Sequence, residues 1–202
     1  MRVLALMGVW CATALLALGG CGQGSPGPGA VCTEVQPPGW TSHTDAERGY
    51  SVSFPDSWSR ATVRMSRIDE PRELMSLATV PLRRHDTDCE AFAGAAGVSM
   101  GPGDVVVTVW ERGYDPDSEW PGFPPRPTSF GPVPDAEPAG PGCGEPPATM
   151  IHWRNFSESG RHLHTLVRVG PAAPPRAAAE AWRILDSLRL DPGYRPSWPA
   201  SG

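Results

Sequence analysis

Asp104-Val-Val-Val-Thr-Val-Trp-Glu-Arg112 (DVVVTVWER) is the stretch of sequence that decides the fold. β-Branched and aromatic residues dominate it, and such residues favour the pleated, half-buried backbone of a sheet. The turn-forming string Gly101-Pro102-Gly103 comes directly before it. The pattern therefore predicts a β-strand over 104–112, and it is the strongest strand signal in the chain.

Weaker patterns on both sides predict the strands that pair with this one. Residues 50–54 alternate between apolar and polar and end at Pro55-Asp56, and residues 60–67 place Ala61, Val63 and Met65 on one face. A mostly apolar run over 74–82 is typical of a buried strand. Residues 149–156 and 162–169 alternate around Ser157-Glu-Ser-Gly160, which predicts a hairpin.

Helical periodicity is confined to two places. Pro174-Pro175 is suited to a first helical turn, and it precedes a predicted buried stripe of Ala178, Ala181, Trp182, Leu185 and Leu188. Residues 90–99 are alanine-rich and compatible with a helix. Together, these strand and helix patterns predict an α+β domain, with a mainly antiparallel sheet of about six strands flanked by one or two helices.

Two short strings carry a resemblance to a known family. Residues 49–58 (GYSVSFPDSW) resemble the opening strand of PsbP-like domains, and residues 184–190 (ILDSLRL) resemble their closing helix and last strand. The resemblance implies an α/β/α sandwich, with the tryptophan of the first string packed back on the sheet. Surface lipoproteins of actinobacteria include many such domains, and what the relatives share is binding, without a common catalytic constellation.

The first 21 residues have the features of a lipoprotein signal. Arg2 precedes an apolar run that ends in Leu18-Gly-Gly-Cys21. Small residues before the cleavage point and a cysteine that accepts a diacylglycerol are what such a signal requires, although an ordinary secretory signal containing Cys21 is the alternative. We expect residues 1–20 to be removed and Cys21 to be lipidated. The protein would then lie on the outer face of the cytoplasmic membrane, held there by lipid.

The remaining chain divides by composition. Residues 21–39 are rich in Gly and Pro and form a predicted tether. Residues 40–190 form one predicted α+β domain, and residues 191–202 a disordered tail. Within the domain, residues 113–147 contain eleven prolines, and a loop of that length is usually functional or disordered. Its aromatic residues are the candidate binding residues: Trp120, Phe123 and Phe130.

Three cysteines remain beside Cys21 in the predicted mature protein. Cys89 and Cys143 lie within the folded region and Cys32 in the tether, which favours a Cys89–Cys143 disulfide in an oxidising compartment. Pairings that use Cys32 stay open.

The charge pattern excludes some functions. The chain has seventeen arginines and no lysine, so neither a Schiff base nor a P-loop lysine can form. A formal net charge of −5 gives no electrostatic support for a nucleic-acid partner. We expect no cofactor.

Three histidines fall in the predicted hairpin. A three-residue loop, Glu158-Ser159-Gly160, would place His152, His162 and His164 on one sheet face, where they could bind Zn²⁺ or Cu²⁺. Arg154 and Arg168 would share that face and disfavour a cation. A polar, partly exposed face is therefore the favoured interpretation, and a shift of one residue in register would disperse the cluster.

Gly97-Val-Ser99-Met-Gly101 matches the G-x-S-x-G motif of serine hydrolases. The motif needs a strand before the serine and a helix after it, and the predicted order here is the reverse. We expect a protein that is not an enzyme but a membrane-anchored binding domain for an envelope protein or a cell-wall component. A metal or small-ligand binder is the alternative, and a Ser99 hydrolase the second alternative.

Overall fold

The computed structural model describes residues 37–66, 68–84, 100–113, 122–139 and 145–195. These residues form nine β-strands and one α-helix, joined by turns and loops. These residues fall within a single compact unit. The strands are β1 (Trp40–Asp45), β2 (Tyr50–Pro55), β3 (Ser59–Arg60), β4 (Arg72–Ala78), β5 (Val105–Arg112), β6 (Glu137–Pro138), β7 (Met150–Glu158), β8 (Arg161–Val169) and β9 (Arg189–Leu190), and the helix is α1 (Pro175–Ser187).

The larger sheet has the strand order β3-β4-β5-β8-β7-β6, and all its neighbouring strands are antiparallel. β5 lies inside this sheet between β4 and β8, and all of its residues except Arg112 are buried. The strand predicted from DVVVTVWER is thus confirmed within one residue. Its β-branched residues are buried on both faces, which explains why that stretch lacks polar alternation.

A smaller antiparallel sheet, β1-β2-β9, packs with α1 over one face of the larger sheet. Tyr50 and Val52 of β2 share a continuous apolar core with the helix and with the inward residues of β5 and β8. We call the covered side of the larger sheet its helix face and the other side its outer face. The coarse α+β prediction, with a mainly antiparallel sheet, is confirmed. The strands, however, form two sheets where one was expected.

The helix lies where the sequence predicts it, but its buried stripe is rotated. Ala181, Leu185 and the C-terminal Leu188 are buried as expected, whereas Ala178 and Trp182 are only partly buried. Ala177 and Ile184 occupy the inward positions instead.

The predicted hairpin register is wrong. β7 and β8 are joined by a two-residue turn, Ser159-Gly160, in which both residues have positive φ angles of 53° and 72°. This conformation belongs to the type I′ turn, whose twist matches that of the strands. The turn pairs His152 with Val167 and Asn155 with His164, a shift of one residue from the predicted pairing.

Two further segments differ from expectation. Residues 61–66 are not a strand: the ladder stops at Arg60, and the backbone N–H of Ser66 donates to the Glu73 carboxylate at 2.7 Å. The predicted tail is packed at its start, since the N–H of Asp191 donates to the carbonyl of Gly49 at 3.0 Å. The hydroxyl of Tyr194 likewise donates to the carbonyl of Glu47 at 2.9 Å.

Several predictions concern residues outside the described ranges. These are the signal peptide, the tether up to residue 36 with Cys21 and Cys32, the 90–99 helix, the Cys89–Cys143 disulfide, Ser99 and Trp120. Within the described ranges, α1 is too short and too polar to cross a lipid bilayer.

Candidate functional site

Residues 122–139 of the proline-rich insertion run along the outer edge of β7. The N–H of Ser157 donates to the carbonyl of Pro124 at 2.7 Å, and the N–H of Arg126 returns a bond to the carbonyl of Ser157 at 3.1 Å. Further along, β6 pairs with the start of β7. This part of the insertion is therefore joined to the sheet by backbone hydrogen bonds at both of its ends.

Arg126 fixes the middle of the segment to the end of α1. Its guanidinium donates to the carbonyls of Leu185 at 2.8 Å and Leu188 at 2.7 Å, and pairs with the Glu158 carboxylate at 2.8 Å. The last carbonyls of a helix have no partner within the helix and carry partial negative charge. Arg126 therefore does from a distant loop what a basic residue in the last turn of α1 would otherwise do.

Phe130 is a core residue and not the surface residue that the sequence suggested. Only 7% of it is exposed, and its ring packs edge-on against Phe156 at 5.5 Å between centroids. Its N–H donates to the Asp186 carboxylate at 2.7 Å. The side chain therefore anchors the segment and cannot contact a partner.

Phe123 lies on the outer face of the sheet, in an aromatic cluster. Its ring packs edge-on against His162 at 5.5 Å and His164 at 4.8 Å. Trp153 lies beside His164 and stacks on Trp110 at 6.2 Å. Two of the predicted histidines and one of the predicted aromatic residues thus come together, while Trp120 lies outside the described residues.

His164 is a neutral, structural member of this cluster. The amide oxygen of Asn155 accepts from Trp153 Nε1 at 2.8 Å and lies 2.7 Å from His164 Nδ1. Because that oxygen can only accept, His164 Nδ1 must carry the proton. Burial, and then the charge of Arg112, lower the pKa of His164 to about 4.

His152 lies on the helix face, opposite the other two histidines. Its Nδ1 accepts from the N–H of Val133 at 3.2 Å, and its ring packs edge-on against Trp182 at 5.2 Å. Burial lowers its pKa. The expected three-histidine cluster therefore does not form, because the two-residue turn changes the register, and the described residues contain no group of three or more metal ligands.

Several of the exposed residues of the segment are prolines, and we call four of them the proline surface. Its members are Pro124, Pro125, Pro132 and Pro134. Each proline has a fixed φ, so the surface offers apolar rings with little conformational freedom. Sequence reasoning selected the aromatic residues of this insertion and missed both Arg126 and the prolines as the elements that build the surface.

No protein-family model matches this chain, and no curated protein matches it.

Proposed function

We propose that this protein is a lipid-anchored, non-catalytic binding domain on the outer face of the cytoplasmic membrane. Its ligand is an envelope protein or a cell-wall component, and its binding surface is the proline surface. The Leu18-Gly-Gly-Cys21 string supports the lipid anchor and this location.

The observation that carries the binding proposal is the attachment of Arg126 to the end of α1. A long proline-rich loop with no function would need no arginine bound to the end of the helix, no edge-strand pairing and no core phenylalanine to hold it. Binding residues are commonly found on loops that a rigid scaffold positions. A surface that is already ordered loses less entropy when a partner binds.

The PsbP-like sandwich belongs to the same proposal. Trp58, which ends the string resembling that family, is buried in the main core. Its Nε1 donates to the Glu180 carboxylate of α1 at 3.0 Å. This contact and the packing of β2 against the helix support a common architecture.

Site-specific photo-crosslinking in intact cells tests the binding surface. A photoreactive phenylalanine analogue at Pro132 should give a discrete adduct with an envelope component. The same analogue at Arg176, whose side chain is 88% exposed on α1, serves as the matched control and should not. Identical adducts from both positions, or none from Pro132, would contradict the proposed surface.

Fatty-acid labelling tests the lipid anchor and the membrane location separately. The full chain should incorporate labelled fatty acid and fractionate with the membrane, and a Cys21→Ser variant should do neither. A variant that still takes up label would place the lipid elsewhere.

A further inference from the structure

A small cleft opens between the loop after β3 and strand β4. It is lined by Ala61, Thr62, Val63, Leu74, Met75 and Ser76 together with the charged side chains of Arg48, Arg60, Arg64 and Glu73. Three of the four charged groups are guanidinium groups, although the chain as a whole carries a net charge of −5. The cleft is separate from the proline surface and does not depend on the function proposed for it.

Arg60 is the one guanidinium of this cleft that is not paired with a carboxylate of the described residues. It donates from Nη1 to the carbonyl of Ala61 at 3.2 Å, and within the described ranges it forms no ion pair. Its positive charge is felt nearby: after burial, Arg60 is the largest influence that lowers the pKa of His43. Arg60 therefore has donors and charge to offer a ligand.

The other two arginines have partners outside the cleft. Arg48 pairs with Asp45 at 2.9 Å, within the turn between β1 and β2. Arg64 pairs with Asp69 at 3.0 Å, and the Asp69 side chain is 75% exposed. An ion pair that is this exposed contributes little free energy, so Arg64 can exchange Asp69 for a ligand oxygen at small cost.

Glu73 is the group that opposes an anion here. Its carboxylate is buried and accepts from the N–H of Ser66 at 2.7 Å and the hydroxyl of Ser76 at 2.6 Å. These donors occupy both of its oxygens and spread part of its charge into the protein. Glu73 therefore weakens the positive potential of the cleft without occupying the guanidinium groups.

We propose that this cleft binds a phosphate group through Arg60 and Arg64. Guanidinium groups match the geometry of phosphate oxygens and form charge-assisted hydrogen bonds with them. Val63, the one large apolar side chain that is well exposed in the described residues, lines the same cleft with 57% of its area accessible. The cleft thus combines an anion site with an apolar contact, as a phosphate ester of an apolar molecule would require.

Calorimetric titration of the full chain, in uncharged detergent at low ionic strength and neutral pH, tests the proposal. The two probes are inorganic phosphate and a short-chain phosphatidylglycerol below its micelle concentration. Tighter binding of the lipid identifies a phospholipid headgroup as the source, and equal or tighter binding of inorganic phosphate identifies a soluble phosphate. Binding of neither probe overturns the proposal.

Three variants locate the site. Arg60→Gln should weaken phosphate binding about tenfold, the amount expected for losing a charge-assisted bond. Asp69→Asn should strengthen it about twofold, because it releases Arg64 from an exposed pair. Arg176→Gln removes an equal charge outside the cleft and should leave the affinity unchanged. All three residues are at least partly exposed, so the variants should fold. Equal effects of Arg60→Gln and Arg176→Gln would overturn the assignment.

Discussion

The guanidinium of Arg126 lies 2.8 Å from the carbonyl oxygen of Leu185, so a loop residue caps a helix that begins 49 positions later in the chain. The last turn of α1 contains no basic residue of its own. Arg126 also contacts the faces of two aromatic rings, at 5.4 Å from Phe130 and 5.7 Å from Phe156. The same side chain therefore stabilises the end of the helix and holds the proline surface in place.

Replacing Arg126 with Gln should lower the free energy of unfolding by about 2 kcal/mol, since charge-assisted bonds to helix carbonyls are lost in a partly buried site. Urea unfolding followed by tryptophan fluorescence measures this change. The crosslink at Pro132 should weaken in the same variant, because the segment loses its anchor.

Arg176→Gln is the matched control for this prediction. The Arg176 side chain is 88% exposed, and the nearly buried Glu180 carboxylate keeps its bond from Trp58 Nε1, so the change should cost less than about 1 kcal/mol. An equally small effect at Arg126 would mean that the backbone bonds to Ser157 suffice to hold the segment.

The elements of the fold were predictable where the local pattern agreed with the packing. β5 and α1 appear within one or two residues of their predicted bounds. In β5 a run of β-branched residues matches a strand buried on both faces, and in α1 a periodic apolar stripe matches a helix buried on one face. Residues 61–66 were not predictable in this way. Their alternation is genuine, but the buried Glu73 carboxylate binds the backbone of Ser66 and replaces the strand ladder.

Glu111 and Arg161 form a buried ion pair that joins the two sheets. Arg161 donates to Glu111 at 2.5 and 2.9 Å and to the carbonyl of Gly49, next to β2, at 2.6 Å. Replacing Glu111 with Ala should cost about 3–5 kcal/mol, because a buried guanidinium is left without its counter-charge. Thermal and urea unfolding measure the loss.

An exposed ion pair provides the comparison for Glu111. Asp69→Ala removes the partner of Arg64 and should change stability by less than about 1 kcal/mol. If Glu111→Ala were as mild, water would have to reach Arg161 in the folded state.

His164 should make the protein less stable in mild acid. The unfolded chain takes up a proton on this imidazole near pH 6.5, whereas the folded protein does so only at about pH 4. Stability is therefore lost as the pH falls between these values, and the loss approaches about 3 kcal/mol at its lower end. Urea unfolding at a series of pH values measures the slope.

His164→Gln removes this imidazole and should reduce that slope, and the pKa values of His43 and His152, which burial also lowers, account for part of what remains. The His164 side chain is only 2% exposed, which is why the folded state resists the proton. An unchanged slope in His164→Gln would assign the acid sensitivity to other groups.

The candidate site was only partly predictable, and the reason is the turn. Type I′ turns favour Asn or Gly at both positions, and Ser159 at the first position gave no such signal. The wrong loop length moved every side chain of β7 to the other face relative to β8, so His152 was grouped with residues that it does not meet. The role of Arg126 depends on contacts between segments far apart in the sequence, and no local pattern indicates them.

A glycine is required at position 49 for two reasons, its backbone conformation and the side chain that packs against it. It has a positive φ of 61°, and a Cβ there would overlap the ring of Tyr194. Gly39 has a similar φ of 75° but open space around it. Gly39→Ala should therefore cost only backbone strain, about 1 kcal/mol, whereas Gly49→Ala adds a steric clash and should cost about 3 kcal/mol.

A double variant separates the two contributions at Gly49. Tyr194→Ala removes the ring that packs on Arg161 and should itself be destabilising. It also makes room for the new methyl group, so Gly49→Ala should cost about 1 kcal/mol in that background, as at Gly39. Urea unfolding of the four proteins of the cycle measures the coupling. If Gly49→Ala cost the same with and without the Tyr194 ring, residues 191–195 would not pack against β2 in solution.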